Sequence, residues 1–275
     1  MFETAVHGGH PTVETVNARH WPGKRAARRR ARRELRPAEG AMLVRYADEL
    51  SGDVLELDSR GDRLTAALAA RASSLTGIGV SAPTVKLCRE RHPGARFLQQ
   101  NLTDLDDFAD DQFSAVVAGR FALDLLSDDQ RRFVFEQLNR ILEPGGLLIF
   151  SSHNLACESL VRTPGRHVLF NPLRILWMPR YLRNRAQLAR LQQREHGYAM
   201  LNTPAISYGL LSYHISRDGQ ERQLFEHDMR LLECVTVEDR AVERRQDAYR
   251  QTELYYVAQP LAFSPAESGG DLEHI

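Results

Sequence analysis

Five short apolar runs punctuate the middle of the chain: VLEL from Val54, LTGIGV from Leu75, ARFLQ from Ala95, FSAVVAG from Phe113 and LLIFSS from Leu147. The first is followed by a segment of helical period to about Arg71, the second by another to about Arg91. Apolar runs of strand length alternating with amphipathic helices predict a parallel sheet with crossover helices. Local punctuation agrees. Pro83 suits the first turn of its helix, where a missing N–H costs nothing. Ser127 and Gln130 have the spacing of a capping box, and Phe133, Val134, Leu138 and Ile141 follow at helical spacing. Pro144-Gly145-Gly146 is then expected to stop that helix before the next strand.

Outside this core the rhythm changes. Beyond Asn154 an arginine-rich helical segment is predicted from about Leu173 to Gln193, within an insertion of about 158–200. The runs Ile206–Ile215, Met229–Val237 and Leu254–Ala258 are candidate closing strands. At the other end, Lys24 to Arg36 gathers Arg28, Arg29, Arg30, Arg32 and Arg33 on a stretch of good helix propensity. The expected organisation is therefore a basic helical extension over 1–40, one domain over 41–260, and a disordered tail over 261–275.

Composition narrows the function. A chain of 275 residues with 43% hydrophobic content can bury one sizeable core. Lysine plus arginine equals aspartate plus glutamate at 36 each, so no global field favours nucleic acid or an anionic membrane. The arginine run lacks interleaved aromatics and reads as a solvated or protein-contacting face rather than an RNA site. Cys88, Cys157 and Cys234 are scattered and odd in number, against both a disulfide framework and a cysteine zinc site. His7 and His10 on a glycine turn make a poor metal site, so no metal is expected. No apolar run approaches the length of a membrane span, and a soluble, cytoplasmic protein is the expectation.

The order and spacing of Val54-Leu55-Glu56-Leu57, LTGIGVSAP with KLCRER, FLQQNLTDL, QFSAVVAGRFALDLL and RILEPGGLLIFSSHN resemble class I S-adenosylmethionine (SAM)-dependent methyltransferases of the bacterial small-molecule type. The segment AISYGLLSYHISRDGQERQL is similar to their C-terminal part. The resemblance implies a Rossmann-like α/β fold with a mostly parallel seven-stranded sheet, its last strand reversed, and helices on both faces. It also implies SAM as the cofactor, lying over the carboxyl ends of the first strands.

The resemblance puts Glu56 at the end of the first strand, where a carboxylate orients the loop and the methionine end of SAM. An ion pair of Glu56 with Arg60 or Arg63 is the competing reading. Glycines of the family fall on Asp58, Arg60 and Asp62, leaving only Gly61. A cofactor that must approach backbone closely needs those glycines, and a salt-bridge cluster there would close the pocket. The ribose-binding acid falls on Gly79, beside Val80. The adenine-side acid falls on Asn101, beside Leu102, and the Asp common before the fourth strand is Ser114. Arg120 faces the same cleft. A hydrogen bond to a charged group contributes about 1.5–3 kcal/mol, so losing the ribose carboxylate lowers affinity roughly ten- to a hundredfold.

His153 and Asn154 follow the fifth strand at the carboxyl edge, where open α/β sheets bind substrates. A histidine there can serve as a general base near neutral pH, with Asp124 as a second catalytic candidate. Tyr208, Tyr213 and His214 either line a substrate pocket or alternate in burial along a strand. An intact scaffold beside an altered cofactor loop supports a catalytically silent homologue that associates with an active methyltransferase, or with itself. An active SAM-dependent enzyme on a small molecule with an atypical loop is the alternative, and a SAM-independent enzyme using the same cleft is a third.

Overall fold

The computed structural model describes residues 12–18, 34–61, 63–157, 178–203 and 209–261. The arginine run Arg28 to Arg33, the His7/His10 pair, Asp62, Tyr208 and nearly all of the tail lie outside these residues. The helices are α1 (Val13–Ala18), α2 (Pro37–Arg45), α3 (Arg63–Ala69), α4 (Ala82–Arg91), α5 (Asp128–Ile141), α6 (Met178–Leu188) and α7 (Arg217–Phe225). The strands are β1 (Asp53–Leu57), β2 (Ser74–Gly79), β3 (Arg96–Gln99), β4 (Phe113–Ala118), β5 (Leu142–Asn154), β6 (Gln193–Arg194), β7 (Tyr198–Leu201), β8 (Ser212–Ile215), β9 (Met229–Val235) and β10 (Glu253–Pro260).

The first five strands run parallel in the order β3-β2-β1-β4-β5, and the order reverses between β1 and β4. On the far edge of β5, β10 pairs antiparallel, and β9 pairs antiparallel to β10. These seven strands are the expected sheet with its reversed last strand. The described sheet holds ten strands, however, because β6, β7 and β8 add a meander. Strand β8 pairs antiparallel with β7 and meets β5 at His153 and Asn154, the tip of that strand. His153 already pairs with Glu253 of β10 on its other side. The meander therefore sits beyond the end of β4, against the carboxyl edge. Strand β8 falls within the expected strand Ile206–Ile215, whereas β6 and β7 are short and fall at the end of the stretch expected as a helical insertion.

Burial follows the pleat. Leu55, Leu57, Val116, Leu148 and Phe150 face a core completed by Val134, Phe135, Leu138 and Leu224. Val54, Val117, Leu147 and Ile149 face a second core completed by Met42, Leu43, Leu64, Leu68, Val85 and Cys88. Successive strand residues point to opposite faces, so one run of apolar residues feeds both layers. Helix α2 begins within the stretch expected as the N-terminal extension, and its Ala38, Glu39, Met42 and Leu43 are buried.

Helix α5 carries the expected capping box, with Gln130 N–H donating to Ser127 Oγ. Its buried stripe is Arg131, Val134, Phe135, Leu138 and Ile141; Phe133, expected on that stripe, is 41% exposed. The stripe takes in positions 131 and 135, which keep the i, i+3, i+4 geometry that 133 breaks. The helix ends at Ile141, ahead of Pro144, and β5 begins at once. Pro144-Gly145-Gly146 instead forms an irregularity within β5, where the pairing to β4 shifts register. A Cβ on Gly146 would stand 3.0 Å from Phe113 O, so only glycine allows the approach.

Among the described residues no helix is long and apolar enough to cross a membrane, and no group of three or more His, Cys, Asp or Glu side chains could hold a metal.

Candidate functional site

The switch between β1 and β4 opens the carboxyl edge where open α/β sheets bind ligands. The loop after β1 begins with Asp58 at φ 56° and continues to Gly61 at φ 60°. Asp58 thus holds a left-handed conformation suited to glycine, which aspartate tolerates better than most residues. Its carboxylate, almost buried, takes the Arg60 guanidinium, with Arg60 Nε donating to Oδ2 at 2.7 Å.

The same loop lies down on β2. Ser59 N–H donates to Ile78 O at 2.8 Å. Ser59 Oγ donates to Glu56 Oε2 at 2.7 Å, and Thr65 Oγ1 donates to Glu56 Oε1 at 2.9 Å. Glu56 is 1% exposed, so its carboxylate is directed into the protein by two hydroxyls. Arg63 makes a bidentate contact with Glu39, and Arg91 Nη1 donates to Gly61 O at 2.9 Å. Ser59 O would stand 3.2 Å from a Cβ on Gly79. The end of β2, where the resemblance expects a ribose-binding acid, is therefore covered by the β1 loop.

The remaining cofactor candidates are dispersed. Val80 is half-buried beyond β2, Asn101 is exposed and Leu102 is buried in the core. Ser114 caps local carbonyls, its Oγ donating to Glu49 O at 2.7 Å. Arg120 reaches Glu253 at the start of β10, with Nε donating at 2.8 Å and Nη2 at 2.6 Å. Burial alone would lower the Arg120 pKa, but the hydrogen bonds and charge of Glu253 raise it. A cavity of about 20 Å³ beneath, lined in part by Glu39, Leu64, Arg120 and Tyr255, has room for about one water. The turn after β1 thus carries an ion pair where the resemblance expects glycines, and backbone lies over the position where it expects the ribose-binding acid.

The acceptor side of the edge is different. The turn Leu123–Leu125 places Asp124, fully buried, under the tip of β5. Asp124 Oδ2 accepts from the His153 backbone N–H at 2.7 Å and meets Nδ1 at 2.6 Å. Oδ1 accepts from Ser152 Oγ and from Arg131 Nη1 at 3.1 Å. Burial alone would raise the Asp124 carboxyl. The hydrogen bond and charge of His153, with Arg131, instead hold it below its ordinary value. A carboxylate can only accept, so Nδ1 is the ring nitrogen that carries a proton toward it. The two catalytic candidates read from the sequence are thus brought together.

The imidazole is clamped on both faces. Phe121 stacks at 3.6 Å between centroids, and His214 lies at 4.6 Å. Burial, then the charge of His153, lowers His214 to about 3. Tyr213 and His214 are both fully buried, so burial does not alternate along β8; the strand is covered on each face. Arg131 was not singled out by sequence reasoning. It is fully buried and donates to Asp124, Gln223 at 3.0 Å and Gln220 at 2.6 Å, with its guanidinium 4.7 Å from the Tyr213 ring. Its signal was an arginine on the apolar stripe of α5.

The fold and its switch point define the class: this is the class I methyltransferase fold. Comparisons with known proteins agree. Residues 54–146 match the family model of a methyltransferase domain. No curated protein matches the chain in sequence. A SAM-dependent methyltransferase from Clostridium acetobutylicum superposes with a TM-score of 0.57 at 11% identity, covering 82% of this chain and 92% of the other. The 1,6-didemethyltoxoflavin-N1-methyltransferase of Burkholderia thailandensis, solved with that compound and S-adenosylhomocysteine, gives 0.54 at 13% identity over 82% and 78%. The CcbJ methyltransferase of Streptomyces caelestis gives 0.53 at 18% identity over 91% and 97%. At these identities the likeness is one of fold.

Proposed function

We propose that this chain is a methyltransferase-fold protein that does not hold SAM by itself and acts as the non-catalytic partner of an active methyltransferase, another chain or a second copy. The observation that carries this reading is the β1 loop folded onto the end of β2, with Asp58 closed on Arg60 and Ser59 bonded to Ile78. To admit a ribose, the loop must give up the Ser59 bond and move away from Gly79. The rest of the scaffold is well packed, which fits a protein used for its surface. Phe225 is 69% exposed and Phe133 41% exposed, each next to a member of the Arg132–Glu226 ion pair; large apolar groups in solvent mark candidate contact surfaces.

The test is a methylation assay with radiolabelled SAM on the purified chain, together with its sedimentation behaviour and its co-purification with a methyltransferase on expression in its host. The reading predicts no turnover by the chain alone and a stable assembly. A monomer that methylates small molecules unaided contradicts it.

A second reading, an active SAM-dependent methyltransferase acting on a small molecule, draws on a specific observation. Asp58 and Gly61 keep positive φ, so the turn retains the backbone form of a glycine loop. Under that reading the Asp58 carboxylate leaves Arg60 and meets the ammonium of SAM. The Burkholderia relative solved with its acceptor and S-adenosylhomocysteine is in keeping with it.

A further inference from the structure

We propose that His153, positioned by Asp124, is an acid–base site that works independently of SAM and accepts a proton from a weakly acidic hydroxyl or N–H of a small molecule, such as a phenol or an imide. The proposal stands on the geometry at the tip of β5 and goes beyond the partner role.

Three side chains hold the ring, and two more hold the first of them. Asp124 receives both the backbone N–H and Nδ1 of His153. Arg131 and Ser152 occupy the other carboxylate oxygen, so Asp124 cannot turn away. Phe121 and His214 hold the two faces. Phe121 does so from φ 58°, a conformation that costs a bulky residue strain and is retained where something requires it. What remains outward is the Nε2 edge of a side chain that is 14% exposed, with no hydrogen-bond partner among the described residues. A buried carboxylate behind a histidine fixes the tautomer and stabilises the imidazolium that forms on proton uptake.

The step is a proton transfer. The O–H or N–H bond of the ligand breaks, its electron pair stays on oxygen or nitrogen, and the proton moves to Nε2. The resulting positive charge lies against Asp124, and the ligand is left as its conjugate base.

The test uses 4-nitrophenol, whose absorbance reports its ionisation, titrated into the full chain in neutral buffer. The proposal predicts that a phenolate band grows with protein concentration and is lost in His153→Gln. Asp124→Asn, which presents an amide donor to Nδ1 and moves the proton to Nε2, is expected to lose the band as well. His153→Gln alters only a partly exposed side chain, so the comparison survives if Asp124→Asn fails to fold; circular dichroism monitors both. An unchanged spectrum with the native chain, or an equal band from His153→Gln, overturns the proposal. Because no SAM is present, its failure is distinct from failure of the partner reading.

Discussion

Gly79 and His214 show how single positions set the behaviour of the carboxyl edge. Restoring an acid at residue 79 is crowded by Ser59 O at 3.2 Å and by Val85 Cγ2 at 3.4 Å from the new Cβ. Gly79→Asp is therefore expected to lose about 1–3 kcal/mol of stability, seen as a lower denaturation midpoint, without gaining SAM affinity until the loop is also rebuilt. His214 makes the pH dependence. It stays neutral in the fold to about pH 3, whereas the unfolded chain protonates it near 6.5. As pH falls below that value the unfolded state takes up a proton that the folded state refuses. Its contribution is thus fully present above the unfolded pKa and is lost at up to about 1.4 kcal/mol per pH unit on the way down. Urea denaturation of the native chain between pH 7 and 5 should show a steeper decline than His214→Gln; equal slopes would refute it.

Helix α5 concentrates the energetics of the elements. Arg131 and Asp124 are both fully buried, and removing one partner strands the other in a medium that cannot solvate it. Arg131→Ala is expected to lose about 3–5 kcal/mol, measured by denaturant unfolding. Replacing both by apolar residues of similar size should recover much of this. At the helix start, Ser127→Ala removes the acceptor for Gln130 N–H and should lose about 1 kcal/mol. Elements whose signals are local were legible in the sequence: the capping box, the five parallel strands, and the closing strands β9 and β10. Phe133 and Pro144 misled because helix phase and strand irregularity depend on which residues the sheet covers. Arg131 was visible on its stripe, but the partners that make it tolerable, Gln220 and Gln223, lie some 90 positions away.

At the scale of the whole molecule, the fold class followed from the alternation of strands and helices, and the structural likenesses bear it out. The site was legible only in part. The sequence indicated that the cofactor glycines are replaced, and it named His153 and Asp124 singly. It carried no sign that the two meet, because their contact depends on β5 running past β4 and on the turn Leu123–Leu125 lying under its tip. In the meander, β8 was legible within the run Ile206–Ile215, but β6 and β7 are set by pairing back onto it where it sits on the last two residues of β5.

The central claim is that the closed β1 loop keeps SAM out of this chain. Calorimetric titration of the purified protein with SAM and with S-adenosylhomocysteine tests it most directly, run beside the double variant Asp58→Gly/Arg60→Gly, which removes the ion pair and suits the positive φ at residue 58. The account predicts no heat of binding for the native protein and measurable binding once the loop is released. Micromolar binding by the native protein would contradict it and establish the second reading, with Asp58 turned toward the cofactor.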